Sequence, residues 1–255
     1  MPFLTKIGCV SLLLCHLFSW STRAQTAVID SLPHLPSDVI PAYDTALNWY
    51  HAYLTPETGL YRGAEYASYD LRLREGNPYF IDKKRHPGTV FYDSVQYAHV
   101  LLLYDEVKDL VILYDVFNLF KINLYSELLD RFTIGDHQFI RLRDSLNPTQ
   151  PHNGFYEVLY KGRISLLKKE KKIIQEDLYA GNQVEYYISG ADTSYYLKKA
   201  NDYYPVKNTR SLLRALKDRG KEVKKFIRSN GLSLRKDREN TLLKVSAWYD
   251  NSTPQ

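Results

Sequence analysis

The 255-residue chain has only two cysteines, Cys9 and Cys15, and both lie in an apolar segment at its beginning. If that segment is removed, the remaining 231 residues contain no thiol. Disulfides, cysteine nucleophiles and cysteine-ligated zinc are then excluded. A chain of this length is long enough to be held by its own hydrophobic core. The alternative to removal is lipidation, which needs a small residue before the cysteine, and only Cys9 has one.

A strong excess of charge is also missing from the chain. Removing Lys6 and Arg23 with the first 24 residues leaves 32 basic and 29 acidic side chains, a formal charge of +3. Nucleic-acid-binding domains usually carry a clustered and more basic surface, so we expect no nucleic acid partner. No later run is apolar over the ~20 residues that a membrane-spanning helix needs, so no transmembrane segment is predicted after signal removal.

Motifs for common catalytic and metal sites are missing as well. The six histidines after residue 24 show neither an H-x-H nor an H-x-x-x-H spacing. No nucleophile elbow, phosphate-binding loop or dinucleotide glycine motif occurs. Asp136 could orient the imidazole of His137, but adjacent side chains usually point apart and G-D-H-Q is ordinary turn composition. We therefore predict no catalytic residue, no metal site and no cofactor.

Carboxylates leave one catalytic alternative open. A glycosidase usually needs two of them flanking one glycosidic bond. The sequence does not give the distance between any two acids, so a hydrolase acting on glycan is an alternative function. The candidate acids are Glu65, Asp70, Asp93, Asp105, Asp115 and Glu157.

The first 24 residues have the features of a secretory signal peptide. Lys6 supplies a positive charge, and a 14-residue apolar run follows from Ile7 to Trp20. Thr22 and Ala24 then occupy the small-residue positions of a cleavage site, so we predict cleavage between Ala24 and Gln25. The apolar run is shorter than the ~20 residues of a membrane anchor, which is the other interpretation.

The remaining chain divides into a lead-in, a strand-rich region and a helical end. Three prolines in nine residues predict an extended lead-in over 25–41. Apolar residues at steps of 4, 3 and 4 predict a short helix over 42–54. Short apolar runs separated by turn residues then predict an antiparallel meander of about nine to eleven strands that ends near 205. The apolar spacing becomes helical again over 206–255.

Local signals predict where these elements begin and end. Hairpin turns are expected near 93–94, 106–108, Gly135-Asp136, Lys161-Gly162 and in the SGADTS segment at 189–194, with a positive φ at Gly162. Asn208 or Thr209 can cap the first C-terminal helix, which Gly220 can split, and Asn230-Gly231 can end it. A last helix is expected from about Arg238 to Tyr249.

The order of these elements predicts the fold class. A run of strands followed by a run of helices, without alternation, favours an α+β fold built on an antiparallel sheet. No change of composition marks a linker, so we predict one β domain over 42–205, including the short N-terminal helix, on which the helices of 206–255 pack.

Three segments resemble one group of proteins. These segments are LYRGAEY, LLLYDEVKDLVIL and SLLRALKDRGKEVKKFIRSNGLSLRKDRENTLLKVSAWYD. Together they are similar to exported proteins of Gram-negative bacteria for which no activity is established. The resemblance covers most of the chain after the signal peptide. It implies an envelope or secreted location, and it assigns no ligand or site residue.

The densest basic run is KKEKK at 168–172. It could attract phosphate, lipid headgroups or anionic polysaccharide. We favour a structural interpretation, in which lysines at the outer end of a long hairpin keep a strand edge soluble.

Three tyrosine pairs within 186–204 form the most unusual local pattern of the chain. Neighbouring strand residues face opposite sides of a sheet, so four rings cannot serve one ligand. If the SGADTS segment is a hairpin turn, Tyr186 faces Tyr196 and Tyr187 faces Tyr195 as cross-strand couples. These four are the candidate residues for stacking on a ligand. The third pair, Tyr203-Tyr204, is predicted to mark the passage from sheet to helices.

The function predicted from these patterns is an exported, non-catalytic envelope protein that acts as a binding or assembly module. Its partner would be an envelope protein, a lipid or a glycan, and its location periplasmic or secreted, with outer-membrane association left open. Besides the glycan hydrolase, the alternative is a carrier that holds a lipid or another apolar ligand inside the curved sheet.

Overall fold

The structure is a computed structural model that describes residues 59–69, 73–115, 117–143, 150–179 and 183–252. The strands among these residues number 12, and they form one sheet. In chain order the strands are β1 (Ala64–Glu65), β2 (Leu73–Glu75), β3 (His86–Tyr92), β4 (Val95–Asp105), β5 (Leu110–Tyr114), β6 (Lys121–Asn123), β7 (Leu129–Ile134), β8 (His137–Leu142), β9 (Gly154–Lys161), β10 (Ile164–Tyr179), β11 (Gln183–Lys199) and β12 (Asp202–Pro205). The signal peptide with Ala24 and Gln25, the lead-in and the helix predicted over 42–54 lie outside the described residues.

Two antiparallel meanders share this sheet. One runs through β3, β4, β5 and β6, and the other through β7 to β12. They join because the chain returns after β6 and pairs β7 with β3, where Val90 faces Phe132. At the far side, β2 pairs in parallel with β11. The class α+β agrees with the prediction, but the single antiparallel meander of nine to eleven strands was wrong, because pairing between distant strands leaves no local sequence signal.

Aromatic side chains fill the main core. Along β7 the side chains of Phe132 and Ile134, two positions apart, are buried on one face of the strand. Leu129 joins the same cluster because the register of β7 against β3 shifts between Arg131 and Leu129. The rings of Phe132 and Phe139 stack with centroids 4.7 Å apart, and Tyr104 meets Phe132 edge-on at 5.3 Å. Such ring pairs stabilise a core beyond the area that they bury.

Three α-helices follow the sheet: α1 (Thr209–Ala215), α2 (Gly220–Ser229) and α3 (Arg238–Asn251). The Asn208 side chain accepts the Ser211 N–H and caps α1, as predicted. After α2, Gly231 has a φ of 61°, the left-handed conformation that ends many helices. The buried faces of the helices pack on Ile164 and Leu166 of β10, so helices and sheet contribute to one buried cluster.

The predicted turns meet different outcomes. Asp93 and Ser94 both have positive φ and connect β3 to β4, as expected. The turn at Gly162 connects β9 to β10, but its φ is not positive, so that part of the prediction was wrong. A Cβ there would overlap the Asp250 carboxylate, so that side chain would have to shift.

Candidate functional site

The four tyrosines predicted as cross-strand couples all lie on β11. SGADTS is no turn but the middle of that strand, so Tyr186 is ten positions from Tyr196, about 33 Å at ~3.3 Å per residue. The couples Tyr186–Tyr196 and Tyr187–Tyr195 were therefore wrong. The turn-like composition of SGADTS is overridden because β11 pairs with β10 over almost its whole length.

Each tyrosine pair instead lines its own surface depression. Tyr186 and Tyr187 lie towards the end of the β10–β11 hairpin, beside a depression of about 470 Å³. Tyr187 also has the Arg74 guanidinium 5.8 Å from its ring centroid. Tyr195 and Tyr196 lie beside a depression of about 360 Å³ where the sheet meets the helices.

The depression beside Tyr195 continues into a second one of about 290 Å³, because Lys207 and Arg238 line both. We name the two together the basic groove. Its lining residues are Asp192, Thr193, Ser194, Tyr195, Tyr196, Pro205, Val206, Lys207, Asn208, Thr209, Arg210, Leu234, Arg235 and Arg238.

Backbone hydrogen bonds and helix caps hold the walls of the basic groove. The Val206 N–H donates to the Tyr195 carbonyl at 2.8 Å, which extends the sheet by one residue beyond β12. The cap at Asn208 fixes the turn that carries Lys207. At α3, the Asp237 side chain accepts the Asn240 N–H, which places Arg238 at the first helical position.

Positive charge dominates the lining of the basic groove. Lys207, Arg210, Arg235 and Arg238 are exposed, and none of them forms an ion pair with another described residue. Asp192 is the one acid among the described residues that line the groove. Four cations on one concave surface with a single carboxylate produce a field that attracts anions.

The two tyrosines of the groove are neutral and pack in different clusters, Tyr195 buried under the helices and the half-buried Tyr196 against Tyr156. Burial, with the nearby Glu239 carboxylate, raises the pKa of Tyr195 to about 12, and its hydroxyl donates to that carboxylate at 3.0 Å. Burial also raises the pKa of Tyr196, whose ring meets that of Tyr156 edge-on at 5.8 Å. Both hydroxyls are therefore protonated near neutral pH, so neither adds negative charge to the groove.

The KKEKK run lies on β10 beside residues 191–195 of β11, and not at an exposed hairpin end. Lys168 is within 3.2 Å of both Glu170 and Glu239. Lys169 pairs with Asp109 at 2.7 Å. These lysine side chains are only 16% exposed, so the prediction that the run serves to keep a strand edge soluble was wrong for them. Apart from Glu170, which belongs to the run, their carboxylate partners Asp109 and Glu239 come from a turn and a helix that the sequence does not bring together.

The last lysine of the run, Lys172, compensates a buried acid. Its ammonium lies 2.9 Å from the Glu106 carboxylate, which is 3% exposed, and it also donates to the Tyr79 carbonyl at 2.6 Å. Burial raises the pKa of Glu106, and the Lys172 charge acts in the opposite direction. Removing the ammonium would leave a carboxylate that is both buried and unpaired.

We expect Lys172→Met to lower the free energy of unfolding by about 3 kcal/mol near neutral pH. The loss should be smaller at about pH 5, because an unpaired Glu106 has a further raised pKa and takes up a proton there. A carboxyl with a raised folded-state pKa favours the folded state below that pKa, so the stability it confers falls as the pH rises through it. Urea unfolding at about pH 5 and about pH 7.5 measures both values. The exposed Lys171→Met is the control, and an equal loss at the two pH values would contradict the assignment.

Three of the candidate catalytic acids are bound to the protein itself. Asp105 is buried and accepts the hydroxyls of Tyr66 and Tyr69, while Asp115 accepts backbone N–H groups of its own loop. Glu157 lies 2.5 Å from the imidazole of His137, which therefore pairs with this strand and not with Asp136. Asp70 lies outside the described residues.

The described residues contain neither a metal-binding cluster nor a membrane-spanning helix. Within these ranges, no three His, Asp or Glu side chains come together as a metal-binding group. The helices of the same ranges include none with the length and apolar character to cross a membrane.

Sequence reasoning singled out Tyr195 and Tyr196 but missed the four cations beside them. The missing signal is spatial, because the cations come from the turn after β12, from α1 and from the segment that enters α3. Comparison with family models, curated proteins and solved structures gave no match for this chain. The resemblance to exported bacterial proteins thus stays a prediction.

Proposed function

We propose that this chain is an exported, non-catalytic binding module of the bacterial envelope, and that its basic groove binds an acidic glycan. The observation that carries the proposal is the meeting of Lys207, Arg210, Arg235 and Arg238 along one groove that Tyr196 also lines. The signal-peptide features of the first 24 residues support the export part of the proposal.

The charges of the basic groove select the ligand class. Three of its four cations are arginines, whose planar guanidinium can bind a carboxylate or a sulfate through two parallel hydrogen bonds. Since the groove is open and elongated, it suits an extended chain of repeated acidic units better than one compact ion. Several such contacts add along a chain without any single deep pocket.

Tyr196 accounts for a preference for sugar over a simple polyanion. An aromatic ring offers an apolar face and a polar edge. The face of Tyr196 can contact the apolar side of a sugar ring, while Lys207 and Arg238 reach its acidic substituents. Nucleic acid would use the same two kinds of side chain, but the formal charge of +3 after signal removal favours a less charged chain.

The carrier and hydrolase alternatives rest on fewer observations. A carrier needs space inside the sheet, whereas the described core is occupied by large buried side chains, among them Tyr92, Tyr104, Phe132 and Phe155. A two-acid hydrolase needs free carboxylates, whereas Asp105 and Glu157 are held by internal partners.

We expect the mature protein to bind a polyuronate and not neutral dextran. Changing Lys207, Arg210, Arg235 and Arg238 together to alanine should weaken that binding about thirtyfold, because four exposed ion contacts of ~0.5 kcal/mol sum to about 2 kcal/mol. Isothermal titration calorimetry with polygalacturonate of defined length measures the change. Tyr196→Ala should weaken binding further without changing its salt dependence.

A matched control distinguishes the effect of the groove residues from the effect of lowering the net charge of the protein. Lys217, Lys221, Lys224 and Lys225 are also exposed and form no ion pair with a described residue, but none of them lines the groove. Their fourfold alanine variant loses the same charge and should bind as the wild type does. An equal loss of polyuronate affinity in both variants would show that binding depends only on net charge, and it would overturn the proposal. Tighter binding of single-stranded DNA than of polyuronate would reassign the ligand class.

A further inference from the structure

A second surface feature lies far from the tyrosines in sequence, in the loop between β5 and β6. Three large apolar side chains there face solvent: Phe117 is 76% exposed, Leu119 77% and Phe120 47%. We name Phe117 to Phe120 the apolar tip. Exposed single hydrophobic residues are common, but three within four positions are not expected without a use.

The apolar tip is held rigidly by its own loop. The buried Asp115 carboxylate accepts the backbone N–H groups of Phe117, Leu119 and Phe120 at 3.1, 2.5 and 2.9 Å. The Asp115 N–H in turn donates to the Phe120 carbonyl, and Asn118 adopts a φ of 57° at the turn. The backbone that carries the apolar side chains is therefore held by several hydrogen bonds, so little backbone entropy is lost if these side chains become buried.

Basic residues surround the apolar tip. Arg85 donates to the Asn118 side chain at 2.7 Å, and its guanidinium lies 4.5 Å from the ring centroid of Tyr114. The Lys121 ammonium lies on the same tyrosine at 5.9 Å. Lys83 and Lys84, just before Arg85, are exposed and form no ion pair with a described residue.

The two acids near these cations, Asp82 and Asp115, are fewer than the four cations and leave a positive excess. Asp82 accepts the Lys84 backbone N–H at 2.7 Å and lies 2.9 Å from the His86 imidazole. Asp115 is buried beneath the loop and directed at backbone donors. The apolar tip therefore has cationic side chains around it, which we name the basic collar: Lys83, Lys84, Arg85 and Lys121.

We propose that the apolar tip inserts into an anionic lipid surface while the basic collar contacts the lipid phosphates. An apolar face that enters the acyl boundary, flanked by Lys and Arg at headgroup level, is the arrangement by which peripheral proteins attach to membranes. A protein partner fits less well, because a stable interface needs about 800 Å² from each side and a tip of four residues presents far less. This inference does not depend on the glycan proposal.

Vesicle sedimentation tests the insertion. The mature protein should bind vesicles of phosphatidylglycerol at low ionic strength and vesicles of phosphatidylcholine at least about tenfold more weakly. Phe117→Ser with Leu119→Ser should lower the partition coefficient on phosphatidylglycerol at least about tenfold, because two apolar side chains no longer enter the lipid. Both side chains are exposed, so the variant should fold as the wild type does.

Controls distinguish the apolar tip from other apolar and charged positions. Leu178→Ser with Val184→Ser removes two exposed apolar side chains on the β10–β11 hairpin, 74% and 48% exposed, and should leave vesicle binding unchanged. Lys83→Gln with Lys84→Gln should weaken binding to phosphatidylglycerol about tenfold, whereas Lys221→Gln with Lys224→Gln should not.

Three outcomes would overturn the proposal. The first is that the wild type does not bind phosphatidylglycerol vesicles. The second is that the hairpin control loses as much binding as the tip variant does. The third is a dimer in sedimentation velocity that the tip substitutions convert to a monomer, without vesicle binding, since the apolar tip would then contact a second copy of the chain.

Discussion

Replacing Asp105 with alanine should lower the free energy of unfolding by about 3–5 kcal/mol, because one buried carboxylate organises a whole corner of the sheet. Its oxygens accept the hydroxyl of Tyr66 at 2.7 Å and that of Tyr69 at 2.7 Å. They also accept the backbone N–H groups of Val107 and Lys108, at 2.9 and 3.0 Å, in the turn to β5.

The size of the effect follows from what the substitution leaves behind. Alanine at 105 removes an acceptor that is 0% exposed and leaves two hydroxyls and two amides without it. A buried donor that loses its partner costs about 1–3 kcal/mol, and the losses in one network do not add fully. The corner also joins β1 to the turn after β4, because Lys108 donates to the Ala67 carbonyl at 2.6 Å and its ammonium lies 4.7 Å from the Tyr66 ring.

Urea unfolding of the Asp105→Ala variant measures the loss. Tyr69→Phe, which removes one of the four donors, should cost only about 1 kcal/mol. Asp192→Ala is the control for removing an exposed acid and should change stability by less than about 0.5 kcal/mol. A loss below about 1 kcal/mol for Asp105→Ala would show that water replaces the carboxylate and that the corner does not depend on it.

Replacing Gly88 with alanine should lower the free energy of unfolding by about 3 kcal/mol, through overpacking. A Cβ at this position would overlap the backbone carbonyl oxygen of Thr133 and lie 3.0 Å from the Leu102 side chain. β7 cannot move away cheaply, because Thr133 also pairs with Gln138 on β8. Gly88 thus lies on β3 at the junction of the two meanders, and a methyl group there would disturb the pairing of β3 with β7.

Gly220→Ala is the matched control for the loss of a glycine. Gly220 begins α2 with a φ of −55°, and a Cβ there would lie 3.7 Å from the Leu213 carbonyl oxygen, an ordinary contact. The substitution should raise the free energy of unfolding by about 0.5–1 kcal/mol, because alanine loses less conformational entropy in a helix. Thermal and urea unfolding measure both variants. The same sign for the two would contradict the steric explanation at Gly88.

The helical end of the chain shows how well local signals can work. Asn208 caps α1, Gly231 ends α2, and α3 begins at Arg238, all as the sequence predicts. Each depends on contacts between residues three or four apart, such as the Asn208 side chain and the Ser211 N–H. Such contacts lie within the window over which a sequence pattern can be interpreted.

The sheet shows where local signals fail. The composition of SGADTS is typical of a turn, yet the segment continues β11 because Lys169 to Lys172 on β10 pair with it. Likewise, the composition of KKEKK is typical of a solvent-exposed strand, yet Lys169 forms an ion pair with Asp109 from the β4–β5 turn. In both cases a partner distant in sequence overrides the local preference.

For the same reason, the sequence predicted the tyrosines of the candidate site but not its cations. Tyr195 and Tyr196 stand out in the sequence because they are adjacent aromatic residues. Arg210, Arg235 and Arg238 do not stand out, because each is an ordinary basic residue of a helix end or a connecting segment. Only the packing of α1 and α3 against the end of the sheet directs them to one groove.

By itself, then, the sequence determined the absence of thiols after the first 24 residues, the order of a strand-rich region before a helical one, and the ends of the C-terminal helices. These follow from composition and from contacts within a few residues. Only the tertiary structure decided that β7 pairs with β3, that β2 lies beside β11, and which charges are paired inside or left free along the basic groove. The physical reason is that strand pairing and charge compensation join residues tens of positions apart, and their free energy depends on which partners the whole fold brings together.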